Sequence, residues 1–199
     1  MIWPPPEGLG LEGALVRLES IRPSHHDPLR EAAQDDRIWE WMDRRIPLEA
    51  DAFGAWFETR LEASRRGEER CFVTRLLADG KLVGSSSYLT IRAPHDGLEI
   101  GWTWLNPTAW RTGANREAKL LMVGYAIETL GCMRVEFKTD TRNKRSRDAL
   151  EALGATHEGT LRAHMLMPEV GGRDSAYFSI TAAEWPAIRE RLQAGVVSA

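Results

Sequence analysis

The stretch NPTAWRTGANREAKLL, Asn106 to Leu121, sets a proline turn, one glycine among small polar residues and an apolar-periodic run side by side. The first turn of a helix carries backbone N–H groups with no partner inside the helix, and the helix dipole makes that end attractive to negative charge. Thr112, Gly113, Ala114 and Asn115 put nothing bulky in front of such a start, and Arg111 and Arg116 flank it with positive charge. This is the composition of an anion-binding loop, although the same residues would serve as a plain helix cap. A second basic cluster, Arg142, Lys144, Arg145 and Arg147, stands just after a run that reads as a strand. Such clusters make solvated faces, touch nucleic acid or form local phosphate sites, and a net charge of −3 favours the last. Metal and thiol chemistry find little support. The five histidines show no ligand spacing, Cys71 and Cys132 lack any CxxC arrangement, and the GxxxxGK[ST] phosphate loop is missing.

The elements that must hold these residues follow from periodicity. After the leader MIWPPPEGLG, GALVRLESI reads as a strand, and HHDPLREAAQDDRIWEWM as short helices broken near Asp35. PLEADAFGAWFETRLEASRRG opens on Pro47 and carries Phe53, Trp56, Phe57 and Leu61 at helical spacing. CFVTRLLADGKLVGSSSYLTI is two β-rich runs around Asp79-Gly80, a strong hairpin signal, and LEIGWTWL follows as a third strand. From about Asn115 to Leu130 a helix is apolar on two stripes, Ala118, Leu121, Met122 and Tyr125 on one and Leu120, Val123 and Ile127 on the other. It is therefore expected to pack on a sheet and be covered again. MRVEFKTD is a strand, RSRDALEALGA a short helix stopped by Gly154, and the remainder a hairpin around Gly171-Gly172 before a last helix, TAAEWPAIRERLQ. The direction change between LEIGWTWL and MRVEFKTD makes a mixed sheet, and ligands of open α/β sheets collect at such points.

This series, from VRLESI to YFSI, resembles the GNAT superfamily of acetyl-coenzyme A dependent N-acetyltransferases, in the branch that includes the RimJ/RimL-type ribosomal-protein-alanine acetyltransferases. The family's pyrophosphate loop, [Q/R]-x-x-G-x-[G/A], falls on Trp110-Arg111-Thr112-Gly113-Ala114-Asn115, where only the central glycine fits. TRNKRSRDALEALGA is similar to the family's N-x-x-[A/S]-x-x-x-Y-x-x-x-G-[F/A] segment at Asn143, Ser146 and Gly154, with Leu150 in place of the tyrosine. LEIGWTWL is like the family's bulged fourth strand, and Gly101 suits the bulge.

The resemblance implies an α+β fold: a mixed, mostly antiparallel twisted sheet of about seven strands, splayed between the fourth and fifth and flanked by helices on both faces. It implies acetyl-CoA as cosubstrate, with no metal, and direct attack of an amine on the thioester. Thr112 to Arg116, with Arg111, would hold the pyrophosphate, and Arg145 in its basic cluster the 3′-phosphate. Asn143 would hold the pantetheine amide, and the backbone of Ile100, Gly101, Trp102 and Thr103 would take the arm and polarise the thioester. Glu99 is the candidate base; a strand carboxylate facing solvent is the plainer reading. Ser146 could pass a proton to the leaving thiolate where the tyrosine is missing, or simply serve the helix start. Tyr177 is a fallback acid and His164 the histidine to test; Arg173-Asp174 could orient the last hairpin. Of the eight tryptophans, Trp39, Trp41, Trp102 and Trp104 fall on segments bordering the acceptor cleft in the resembled fold, and most are expected to be packing.

At 199 residues and 22.4 kDa, with 43% hydrophobic residues, the chain suits one domain over residues 1–199, with residues 1–10 a flexible leader. No apolar run approaches the roughly 20 residues of a spanning helix, and the start shows no signal-peptide pattern. The expectation is a cytoplasmic enzyme whose partner is an amine, either a protein N-terminus or a small molecule. A homodimer is left open, and membrane and nucleic acid are disfavoured. The competing readings are a non-catalytic acyl-CoA-binding regulatory domain and a nucleic-acid module using RNKRSR.

Overall fold

A computed structural model describes residues 1–42, 50–167 and 171–197. Its strands are β1 (Gly10–Glu12), β2 (Val16–Ser20), β3 (Arg70–Leu76), β4 (Leu82–Arg92), β5 (Gly97–Leu105), β6 (Arg134–Asp140), β7 (Thr156–Met167) and β8 (Gly171–Thr181). They form one sheet in the order β1-β2-β3-β4-β5-β6-β8-β7, antiparallel throughout except for β5 beside β6. Helices α1 (His26–Ala32) and α2 (Ala50–Arg65) cover one face; α3 (Ala114–Gly124), α4 (Lys144–Leu153) and α5 (Trp185–Val197) cover the other. The expected mixed sheet with helices on both faces is therefore present, with eight strands where seven were read.

Side chains that alternate along β3 decide this division. Phe72 joins Tyr88, Leu98, Met122 and Phe178 on the α3 side, while Cys71 and Val73 join Leu29, Phe53 and Phe57 on the α1/α2 side. The α3 helix is covered a second time, as its two apolar stripes require: Met122, Val123 and Ala126 are fully buried, and Trp185 of α5 lies over Gly124. A single wider π turn, Tyr125–Thr129, carries the chain on from α3. The Asp79-Gly80 turn forms as expected, Gly80 adopting φ 72° and Leu76 N–H donating to the Lys81 carbonyl at 2.9 Å.

The additional strand is β1, whose sequence GLE is too short to show a period. A buried carboxylate holds the turn that joins it to β2. Glu117, from α3, accepts the N–H groups of Ala14, Leu15 and Val16 at 2.8, 2.7 and 2.8 Å. A Cβ on Gly13 would collide with that carboxylate. The leader, read as flexible, makes specific contacts here: Ile2 N–H donates to Leu130 O at 2.6 Å and Trp3 Nε1 to Gly67 O at 2.7 Å, and Pro5 O accepts from Arg70 at 2.8 Å. At the other end, Gly171 and Gly172, read as the centre of a hairpin turn, are the first residues of β8; residues 168–170 and Pro47 lie outside those described. Among the described residues no helix is long and apolar enough to cross a membrane.

The feature that matters for function lies at the sheet's centre. β5 and β6 pair only through Gly97 with Arg134, Leu98 with Val135 and Glu99 with Glu136. Beyond Glu99, β5 stays with β4 and β6 stays with β8, so the two halves of the sheet part. Backbone groups of β5 that face β6 lose their ladder partners there. Opposite Ser86 the β5 strand carries an extra residue: Ser87 pairs with Gly101 and Ser85 with Trp104. The residue in the left-handed region is Trp102, at φ 49°, and not Gly101. Gly101 is needed for space instead, since a Cβ there would lie 2.9 Å from Glu99 Oε1. The bulge also changes which face each later side chain takes, turning Thr103 toward α3 and Trp104 toward α1 and α2.

Candidate active site

Where β5 and β6 part, a cleft of about 1080 Å³ opens between β5, the start of α3 and the start of α4. Of the catalytic and cofactor-binding candidates in the sequence, the alternates His164 and Tyr177 and the basic residues Arg142 and Arg147 do not line it; the others do, except Thr112 and Ala114. Those two build the loop from behind. The Thr112 hydroxyl donates to Ala109 O at 2.8 Å and accepts from Ala114 N–H at 3.3 Å, and Ala114 is buried.

At one end of the cleft the loop turns sharply into α3. Arg111 and Gly113 have positive φ, 62° and 88°, and Gly113 occupies the position just before the helix. A side chain at 113 would be strained by that φ and would meet Leu15 at 3.0 Å. The N–H groups of Gly113, Asn115 and Arg116 have no backbone partner among the described residues, so they face the cleft as donors beside the positive end of the helix.

The basic cluster after β6 resolves into different roles. Arg142 is held by Asp140 in a two-point ion pair at 2.9 and 2.7 Å, Lys144 pairs with Asp148 at 2.7 Å, and Arg147 donates to Thr141 O at 3.1 Å. Arg145 instead stacks its guanidinium 3.7 Å from the centre of the Trp110 ring, with Glu40 acting on it only through space and no contact ion pair among the described residues. Trp110, which breaks the loop pattern in the sequence, is thus the platform that positions a cation over the cleft. RNKRSR does not present a continuous basic stripe, because two of its cations are neutralised locally.

Asn143 caps α4, its Oδ1 accepting from Ser146 N–H at 3.0 Å. Its oxygen is therefore committed, which leaves the Nδ2 donors for the cleft. The Ser146 side chain lines the wall, and Leu150 packs one turn further on as part of the buried core.

At the other end lies Glu99, 3% exposed, so the reading of a solvent-facing strand carboxylate does not hold. Its Oε2 accepts from Thr90 Oγ1 at 3.2 Å and pairs with Lys138 Nζ of β6 at 3.3 Å, spanning the point where the strands separate. A buried carboxylate needs such compensation. Beyond Lys138, His164 lies between Ser175 Oγ at 3.1 Å and the Tyr177 hydroxyl at 3.3 Å. Burial first, then the charges of Lys138 and Arg173, push the His164 imidazole below its usual range, and burial raises the Tyr177 phenol. Arg173 stands 4.0 Å from Asp140, while Asp174 accepts from Ala163 N–H at 2.7 Å, pinning a bulged residue of β7. Among the tryptophans, Trp39 and Trp104 are buried, their rings 5.3 Å apart, and Trp104 joins Trp41 and Trp102 in lining the cleft.

Two cations of the cleft were not singled out in the sequence: Lys138, which pairs with Glu99, and Lys119. Lys119 of α3 is 6% exposed, and its Nζ donates to Ser86 Oγ at 2.9 Å and to Thr103 Oγ1. Burial pulls this amine down to about 7, and no nearby charge offsets it. The signal was a lone lysine three residues before Met122 on a helix with two buried stripes. A cation there is largely removed from water, meeting it only at the cleft wall.

Comparison with known proteins agrees with this geometry. The acetyltransferase (GNAT) domain family matches residues 16–156. A GCN5-related N-acetyltransferase from Brucella melitensis is similar at 31% identity over 96% of this chain and 86% of that one, with a TM-score of 0.88. An acetyltransferase from T. thermophilus is similar at 34% identity, 97% and 98% coverage and a TM-score of 0.85. Mycobacterium smegmatis RimJ, solved in complex with CoA-disulfide, shares the fold at 21% identity, 94% and 95% coverage and a TM-score of 0.81. Comparison with curated proteins gives no match.

Proposed function

Because the chain belongs to the GNAT family of acetyltransferases, we propose that its cleft binds acetyl-coenzyme A and that a primary amine attacks the thioester there directly, with no acetyl-enzyme on the path. The observation that carries this reading is the parting of β5 from β6 immediately after Glu99, beside a helix start with unspent N–H donors. An extended amide-bearing arm can pair with the exposed backbone of β5 as a further strand would. Its phosphates then reach the Gly113 loop, flanked by Arg111, Arg116 and Arg145. The thioester lies along Ile100 to Thr103, where fixed backbone dipoles stabilise negative charge on its oxygen.

Transfer needs a neutral amine and a protonated leaving thiol. Glu99 takes the proton of the incoming ammonium, directly or through water, with Lys138 balancing the buried charge. Ser146 passes a proton to the departing thiolate, since Leu150 offers none. The amine is a protein N-terminus or a small molecule that enters past Trp41 and Trp102. The test is turnover: release of free coenzyme thiol from acetyl-CoA in the presence of a panel of peptides and small amines. Release with at least one acceptor is expected; binding of acetyl-CoA with no turnover across the whole panel would instead favour a regulatory acyl-CoA-binding domain.

A further inference from the structure

The chain has four lysines. Lys81 pairs with Asp79 at 3.8 Å, Lys138 with Glu99 at 3.3 Å and Lys144 with Asp148 at 2.7 Å. Lys119 alone has no carboxylate partner among the described residues, and it is a buried lysine that lines the cleft wall. Two hydroxyls fix its position: Nζ donates to Ser86 Oγ and Thr103 Oγ1, which lie 2.7 Å from each other. A neutral amine has two N–H groups, and these two contacts use both, so its lone pair is not needed to hold it in place. The amine is thereby attached to Thr103, one of the residues along which the thioester lies in the reading above, and lines the same cleft.

We propose that Lys119 is itself an acetyl acceptor, so that in the absence of an external amine the enzyme acetylates this one lysine from the bound thioester. The inference rests on the reading of the cleft as the acetyl-CoA site. The Nζ lone pair attacks the carbonyl carbon, the N–C bond forms, the C–S bond breaks, and the proton lost by nitrogen leaves on the coenzyme thiol. No other reactant is needed. Desolvation, which keeps a large share of this amine neutral near pH 7, is the usual way a lysine becomes a nucleophile. Lys138 lines the same cleft, but its Nζ is engaged by the Glu99 carboxylate at 3.3 Å. The product is an amide, which does not pass the acetyl group on. It is a modification, separate from the catalytic cycle, that leaves one N–H where two served Ser86 and Thr103.

The experiment uses the full chain with acetyl-CoA labelled in its acetyl group, near stoichiometric concentration and with no amine added, followed by mass mapping of all four lysines. One acetyl group on Lys119, little on Lys138, and suppression by excess coenzyme A are the expected results. Lys119→Arg, which keeps donors for Ser86 and Thr103 but cannot lose its proton, should remain unlabelled at that position and elsewhere. Equal labelling of exposed lysines, or labelling of Lys119 that excess coenzyme A does not suppress, would mean solution chemistry and overturn the proposal. An unlabelled Lys119 in protein whose melting temperature does rise with acetyl-CoA overturns it while leaving the cleft assignment intact. If acetyl-CoA neither labels nor stabilises the protein, the cleft assignment falls and self-acetylation falls with it. The wild-type lysine map and the coenzyme competition decide the matter even if the arginine variant fails to fold.

Discussion

Among single residues, the mechanism proposed above gives Glu99 and Ser146 different protons to move, so their variants should separate kinetically. Glu99→Gln keeps the shape of a side chain that touches Thr90 and Lys138 but removes the base. At neutral pH the rate should fall on the order of 10²-fold, and recover as pH rises and free amine becomes available unaided. Coenzyme affinity should stay the same; an unaltered pH–rate profile would assign the base elsewhere, with His164 next. Ser146→Ala should lower the maximal rate about tenfold or more at every pH, because thiolate departure needs its proton however the amine was deprotonated. Full rate in both variants would leave catalysis to positioning and backbone polarisation alone.

Two element junctions make the cleft, and each can be broken by one substitution. In the loop before α3, Gly113→Glu places a side chain at φ 88°, against Leu15, and a negative charge among the N–H groups meant for an anion. Coenzyme affinity should drop at least about tenfold, which is about 1.4 kcal/mol, by titration calorimetry. Unchanged affinity would remove this loop from the site. One turn into the same helix, Glu117 ties α3 to the β1–β2 turn through three N–H acceptances. Glu117→Ala orphans those donors and should cost about 2–3 kcal/mol, seen as a fall in melting temperature of roughly 5–10 °C. A neutral effect would show that water replaces the carboxylate without loss.

For the whole molecule, ligand linkage and proton linkage give two further readouts. A ligand that binds only the folded chain stabilises it by mass action, about 2.7 kcal/mol at a hundred times its Kd. Acetyl-CoA and coenzyme A should therefore raise the melting temperature, while ATP and NAD do not; equal shifts with ATP would indicate an unselective phosphate site. Lys119 supplies the pH dependence. Its folded pKa of about 7 lies below the ordinary lysine value of 10.5, so between those two values the unfolded chain binds the extra proton. The stability of the wild type relative to Lys119→Met should thus rise by a few kcal/mol from pH 7 to about pH 10, and be level above it. A flat difference across that range would show that the amine stays protonated in the folded protein.

Local pattern was enough for the parts of this protein that depend on neighbours in the chain. The Asp79-Gly80 hairpin, the helix stopped at Gly154, the helix with two buried stripes and the glycine loop opening it are all short-range consequences of backbone preference and apolar period. The family resemblance then supplied the splayed sheet and the candidate base. What no local pattern contains is the pairing of groups far apart in sequence. Arg142 is paired off by Asp140, and Arg145 is held over the cleft by a tryptophan 35 residues away that departs from the loop motif. A one-residue slip in the β4–β5 register moves the left-handed position from Gly101 to Trp102, and in doing so turns Thr103 to the face where Lys119 waits. Lys119 reads in the sequence as an ordinary helix-forming residue. Only the sheet beneath α3 removes it from water, and it is that loss of hydration, decided by tertiary packing, that makes a surface-type cation into a reactive amine.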